Sequence, residues 1–353
     1  MAKNLKLNLR SISSEIHVST ATVSRVLNNK PDVSEGTRKK VLAYLRKIGY
    51  QQRAADSSLH LVGIVDTFSR HTLSSYYLSS IAEAFDRKVR AYGYNTVLIP
   101  SDQILRELRT YPHANILNRL DGILWMEPIF STRFAGILSE HRVPCVVINN
   151  CEDDVRHIDV IESDNRSSSH QAVEFLLGKG HTAIGFVGGW LHLTNHRDRF
   201  AAYRQRMEKA GIEILEDWII DDITLWNEEG GAEGLHRILS RKNRPSAVIL
   251  CSDYLAVGAY RAAREMGLSI PADISIVSFD DFPLAQYLDP PLTTFRQPLQ
   301  EMGELAAARL IGLITGERTP QGRQFLRCPL IVRKSVQGGS AGRAGRRAPR
   351  TPR

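Results

Sequence analysis

The sequence predicts two structural classes in series: an all-α helix-turn-helix headpiece, then an α/β body of two doubly wound lobes. Three observations carry this. Apolar residues recur at helical spacing through the first 50 positions, short apolar runs alternate with amphipathic stretches from residue 61 onward, and the positive charge is gathered at the two ends.

In the headpiece, residues 18–28 set the reading. Val18, Val23 and the Val26/Leu27 pair fall on one helical face, while Thr20, Ala21, Ser24 and Arg25 point away from it. A short helix whose outer face is small and polar, with one Arg, suits a major groove. Ser19 is placed to cap its first turn and leave backbone N–H groups beside a phosphate. Leu9, Ile12 and Ile16 mark a helix lying across the one just described. Glu35 opens a third segment with Val41, Leu42, Leu45 and Ile48 as its apolar stripe and Gly49 placed to stop it. The three stripes share one core.

Beyond residue 60 the periodicity changes. Strands are predicted at 61–65, 96–99, 122–125 and 145–148, and again at 183–187, 218–220, 247–250 and 274–277, with helices between them such as 81–92, 199–210 and 255–266. Repeated strand-helix alternation implies a parallel sheet with helices on both faces, and two such sets imply two lobes.

Charge divides the chain in the same way. Residues 1–60 carry 11 Lys/Arg against 4 Asp/Glu, residues 337–353 carry five Arg and no acid, and the middle is mildly acidic within a total of +8. That asymmetry points to a polyanion-binding headpiece on an ordinary acidic body. No apolar run reaches the roughly 18 residues of a membrane span, and the amino terminus lacks the apolar core of a signal peptide, so a cytoplasmic protein is expected. Cys145, Cys151, Cys251 and Cys328 are scattered without metal-ligand spacing and read as reduced core residues. No histidine pair, phosphate loop or nucleophile elbow points to catalysis, so no enzyme, cofactor or metal is expected.

The motif Val18-Ser-x-x-Thr-Val-Ser-Arg-Val-Leu-Asn28, followed by Val33-Ser-x-x-Thr-Arg38, Val41 and Gly49-Tyr50, resembles the start of the lactose-repressor (LacI/GalR) family. Resemblance resumes at Gly180-His181 and Gly188-Gly189. It continues through residues 199–203, 253–258 and 271–277, then Phe279-Asp280-Asp281 and residues 290–297. The resemblance implies a periplasmic-binding-protein-like type I body whose chain crosses between lobes three times, placed near residues 160, 292 and 322. The expected divisions are a headpiece at 1–50, a hinge at 51–60, a body at 61–336 and a disordered basic tail at 337–353. Within the body, lobe 1 takes 61–160 and 292–322, and lobe 2 takes 161–291 and 323–336.

It further implies a homodimer, with pairing into tetramers left open, on a pseudo-palindromic double-stranded operator. The expected DNA contacts are Ser19, Thr20, Ala21, Thr22, Ser24, Arg25, Asn28, Lys30, Arg38, Lys39 and the hinge residue Leu59. Thr20 and Ala21 read bases, Arg25 reads guanine or holds phosphate, and Lys30, Arg38 and Lys39 hold the backbone. Three departures stand out. His17 replaces the usual Gly before the recognition helix, Gln52-Arg53 replaces Pro-Asn, and Asp56-Ser57 replaces Ala-Arg, which brings negative charge towards phosphates at the hinge.

Open parallel sheets bind ligands beyond the carboxyl ends of their strands. By that rule Asp66, Trp125 to Glu127, Asn149, Asn150, Trp190, Ser252, Asp253 and Asp280 are candidates, and their mixture of amides, carboxylates and indoles favours a sugar. The resemblance separately singles out Arg199 and Asp280, with Ser252 and Gln297 at matching positions and Tyr76-Tyr77 as an aromatic pair. Each Trp reads equally well as core, and Asp253 reads as a helix cap. The rival readings are a solute-binding sugar receptor without DNA activity, and an enzyme of doubly wound fold.

Overall fold

The computed structural model describes residues 9–27, 33–47, 60–66, 75–110, 116–126 and 130–339. The headpiece consists of α1 (Leu9–Ile16), α2 (Thr20–Leu27) and α3 (Glu35–Lys47). Ile12, Ile16, Val23, Val26 and Val41 are buried together, with Val18, Val33, Leu42 and Tyr44 around them, so the described members of the three predicted stripes meet; the side chains of Leu9, Leu27 and Leu45, and Ile48 and Gly49 entirely, lie outside the described set. Ser19 caps α2 by accepting from the Thr22 N–H at 3.0 Å, and Ser34 caps α3 by accepting from the Thr37 N–H at 3.3 Å. Between α1 and α2, His17 takes φ = 50°, the left-handed turn for which Gly is the easier residue.

The first lobe begins with β1 (His60–Asp66), α4 (Tyr76–Ala91), β2 (Tyr94–Pro100) and α5 (Ser101–Thr110). It continues with β3 (Gly122–Met126), α6 (Thr132–His141), β4 (Cys145–Ile148) and β5 (Asp159–Ser163). The second lobe holds α7 (Asn165–Gly178), β6 (Ile184–Val187), α8 (Thr194–Lys209), β7 (Ile219–Ile220) and α9 (Glu228–Leu239). After these come β8 (Ala247–Leu250), α10 (Asp253–Glu265), β9 (Ser275–Asp280) and β10 (Thr293–Arg296). The chain then returns to the first lobe for α11 (Leu299–Thr315) and β11 (Arg323–Leu326), and ends in the second with β12 (Leu330–Ile331).

Two six-stranded sheets result, ordered β11-β5-β4-β3-β1-β2 and β12-β10-β9-β8-β6-β7, parallel throughout except for β12. In the first, alternate residues serve opposite faces: Ile123 and Trp125 join one hydrophobic cluster, Leu124 and Met126 the other. Strands buried on both faces read as continuous apolar runs, and five of the eight predicted runs lie wholly inside an observed strand, the other three starting one residue early.

The lobe boundaries require correction. The chain crosses after β5, β10 and β11, at about residues 164, 297 and 328, each time one strand later than expected at 160, 292 and 322. Thus β10 belongs to the second lobe and β11 to the first, the reverse of the expected assignment. At the first crossing the cause is charge. β5 carries Asp159 and Glu162, which disguise a central strand, but both are buried and paired. Asp159 meets Arg309 at 3.3 Å and Arg318 at 3.2 Å, and Glu162 meets Arg323 at 2.8 Å.

The tail boundary also moves. The Gln337 N–H donates to Ser275 Oγ at 3.2 Å, its carbonyl accepts from His181 Nε2 at 3.0 Å, and the Gly339 N–H donates to the Lys179 carbonyl at 2.7 Å. Residues 337–339 are therefore attached to the second lobe; the remainder of the predicted tail lies outside the described residues. Among the described residues no helix is long and apolar enough to cross a membrane.

Candidate functional site: a cleft between the lobes

A cleft of about 670 Å³ opens between the lobes. Ser75, Tyr77 and Leu78 line it from the first lobe, facing Trp190, His196, Arg199, Trp226, Ser252 and Asp280 from the second. Backbone strain is concentrated where strands end here: Asn149, Asn150, Trp190, Asp280 and Asp281 all take positive φ, from 45° to 118°. Such conformations persist where surrounding contacts over-determine them, as at ligand sites. Gly189 makes the turn at Trp190 possible, since a Cβ there would lie 2.1 Å from the Ile223 carbonyl oxygen.

The floor is a buried polar network. Asp280 Oδ2 accepts from Ser252 Oγ at 2.8 Å and Oδ1 accepts from Gln297 Nε2 at 3.2 Å, while Arg199 Nη2 stands 3.7 Å from Oδ1. Arg199, 2% exposed, is itself over-determined. Its Nε donates to Asn165 Oδ1 at 2.8 Å, its Nη1 donates to the Cys251 carbonyl at 2.5 Å, and its plane lies 4.4 Å from the Phe279 ring centre. Burial pushes the Asp280 carboxyl up; Arg199, Ser252 and Gln297 hold it partly down.

One wall is aromatic. Trp190 stacks on Trp226 at 5.5 Å and 25°, Trp226 stacks on His196 at 4.0 Å and 12°, and the Trp190 indole N–H donates to the Thr224 carbonyl at 3.1 Å. The opposite wall is fixed through Tyr77, whose hydroxyl is hydrogen-bonded by Asn149 Nδ2. At one edge the lobes interlock: Phe282, only 3% exposed, packs in the first lobe's core and meets Tyr76 edge-on at 5.3 Å.

Of the nine predicted effector residues, Tyr77, Trp190, Arg199, Ser252, Asp280 and Gln297 line this one cleft. Asp66 closes β1, its side chain lying outside the described set. Tyr76 points out instead, 43% exposed and touching Phe282, because Tyr77 is the residue that α4 turns inward. Trp125 is corrected to core: it is fully buried against Phe130 at 5.3 Å and Phe134 at 4.5 Å. Asp253 is no cap. Ser252 caps α10 by accepting from the Tyr254 N–H, and Asp253, 0% exposed, instead accepts from the Phe282 N–H and Thr294 Oγ1, bracing the Asp280–Phe282 loop. Trp226 and His196 were not anticipated. The strand-end rule applied to residues 218–220 reaches Trp226, and His196 lies one helical turn from Arg199 on α8.

In the headpiece, Thr20, Ala21 and Arg25 stand exposed on α2, as expected of a reading face. Thr22 is half-buried and hydrogen-bonded to Ser19 Oγ at 2.8 Å, so it serves the cap. Ser24 lies within α2, its side chain outside the described set. Arg38 is half-buried on α3, and exposed Lys39 is 3.1 Å from Glu35. Asn28, Lys30 and Leu59 lie outside the described residues.

Residues 8–52 match the bacterial regulatory proteins of the lacI family, and residues 173–336 match the periplasmic binding protein-like domain. The HTH-type transcriptional repressor PurR of Serratia proteamaculans is 31% identical over 94% of this chain and 97% of its own length. The chain belongs to the LacI family. It is therefore a DNA-binding transcriptional regulator with a small-molecule effector domain, and not an enzyme. Two solved LacI-type structures share its fold. The transcriptional regulator CelR in complex with cellobiose is 25% identical, with a TM-score of 0.70 over 93% of this chain and 99% of that one. The Lac repressor dimer bound to operator and the anti-inducer ONPF is also 25% identical, with a TM-score of 0.69 over 94% and 99%. The solute-receptor reading leaves the LacI-family match at residues 8–52 unexplained and falls.

Proposed function

We propose that this regulator is a cytoplasmic repressor acting as a homodimer on a pseudo-palindromic operator, and that its effector is a sugar held in the interlobe cleft. The observation that carries the effector reading is the floor itself. A buried carboxylate, guanidinium, hydroxyl and amide present hydrogen-bonding groups in fixed directions beside stacked indoles, an arrangement suited to a ring with polar edges and an apolar face. The bound cellobiose in the CelR relative agrees with this class of ligand.

On DNA, Thr20 and Ala21 of α2 read base edges, while Arg25 reads guanine or holds phosphate. Ser19, Thr22, Ser24, Asn28, Lys30, Arg38 and Lys39 position the backbone, and Leu59 serves the hinge. Control requires that the sugar favour one lobe arrangement and that the dimer couple that arrangement to headpiece spacing.

Selection of duplexes from a random pool, followed by competition with a panel of pentoses, hexoses and disaccharides, tests both halves. A preferred two-fold duplex released by one sugar is expected. With 6 to 10 phosphates neutralised, affinity is expected to drop on the order of 10³ to 10⁵-fold between 50 and 200 mM salt. A ligand response confined to molecules that are not polyols overturns the sugar assignment and leaves DNA binding standing.

A further inference from the structure

We propose that His196 is a specificity-determining residue of the cleft, whose Nδ1 accepts a hydrogen bond from one hydroxyl of an uncharged polyol effector. This rests on the cleft being the effector site and adds a role for a residue that the floor network does not use. His196 lies on the cleft wall and is 5% exposed. Among the described residues, three buried side-chain polar atoms have no hydrogen-bond partner: Asp159 Oδ2, Ser278 Oγ and His196 Nδ1. Of the three residues, His196 alone lines the cleft.

The ring cannot easily turn away to repair this. It is stacked onto Trp226 at 4.0 Å and 12°, beside the Gly189 backbone. In the tautomer that carries its proton on Nε2, Nδ1 is a bare acceptor. Burial and the neighbouring Arg199 guanidinium push the imidazole well below its ordinary range, which keeps it neutral. An unmet acceptor on a residue that lines a ligand site is answered when the ligand supplies a donor. Arg199 already answers the Asp280 carboxylate, so the floor offers no free anion to an ammonium group, and a neutral hydroxyl is the donor that fits.

Calorimetry with D-ribose, D-glucose and cellobiose on the full chain tests the assignment, comparing wild type with His196→Phe, which keeps a flat stacked ring and removes the acceptor. The expected loss for the sugar that binds is about tenfold to a hundredfold, with ligand-free thermal stability unchanged or raised. One monodeoxy derivative of that sugar is expected to lose the same factor on wild type and nothing further on the variant. Should His196→Phe prove poorly folded, ¹⁵N spectra of histidine-labelled wild type decide: Nδ1 is expected to resonate as an unprotonated nitrogen and to move on sugar addition. If His196→Phe binds like wild type while Asp280→Asn does not, the effector site stands and the role of His196 is overturned. An Nδ1 resonance indifferent to bound sugar overturns it equally, and a wild type that binds none of the three sugars removes the reading on which it rests.

Discussion

Thr194 Oγ1 donates to Asn150 Oδ1 at 3.2 Å, a buried hydrogen bond that ties the first residue of α8 in the second lobe to the loop after β4 in the first. Exposed Arg197 and Asp153 add an ion pair at 3.6 Å beside it, which high dielectric makes weak. Thr194→Val keeps the shape and removes the donor, leaving the Asn150 oxygen, in a residue 0% exposed, without this partner. The expected cost is about 1–3 kcal/mol in urea unfolding of the body. Unchanged stability is the result that refutes the bond.

Asp280 is expected to be required for the effector response and dispensable for the operator. Asp280→Ala strands Arg199 as a buried, uncompensated cation, so a loss of about 3–5 kcal/mol in fold stability is expected alongside lost sugar binding. Asp280→Asn removes the same charge but keeps the volume, so unfolding measured alongside binding separates the two effects. Gel-shift titrations with and without sugar are expected to show wild-type operator affinity and no response to ligand.

Arg25→Ala is expected to weaken operator binding by about 1–3 kcal/mol while leaving effector affinity in place. Fluorescence anisotropy on a labelled duplex measures the first and calorimetry the second. Equal losses of both contradict the separation of headpiece and cleft.

Asp253 makes the body's stability depend on pH. Burial, reinforced by the Asp280 charge, raises its carboxyl well above the ordinary 3.8. The native state therefore holds this proton to higher pH than the unfolded chain does, and its contribution to stability declines as pH rises from about 3.8 through the raised folded value. Asp253→Asn removes that dependence. The difference between variant and wild type in thermal midpoint is expected to shift in the variant's favour from pH 4.5 to pH 7.5; a difference that is flat with pH rules this out.

Much of the architecture could be read from the chain because its signals are local. The headpiece stripes, the Ser19 cap and the apolar strands each lie within a dozen residues, and their burial follows directly. β5 escaped notice because its Asp159 and Glu162 look like loop residues until Arg309, Arg318 and Arg323 arrive from more than 140 positions away. The cleft was found in part for the same reason. Strand ends announce Asp280, Ser252 and Trp190, whereas the ring wall is visible only when residues 190, 196 and 226 are brought side by side. Trp125 and Trp190 both end apolar runs; which is core and which is wall depends on the sheet face and the turn at Gly189.

Because β11 fills the outer edge of the first sheet next to β5, the amino-terminal lobe is a discontinuous object, finished only by chain made near the end of translation. A nascent chain halted before Leu299 lacks α11, β11 and all three arginines that neutralise the carboxylates of β5. The headpiece has no such debt to later residues. A protein cut short there would carry a complete operator reader attached to a receptor that cannot close its own sheet, and its grip on DNA would answer to no metabolite.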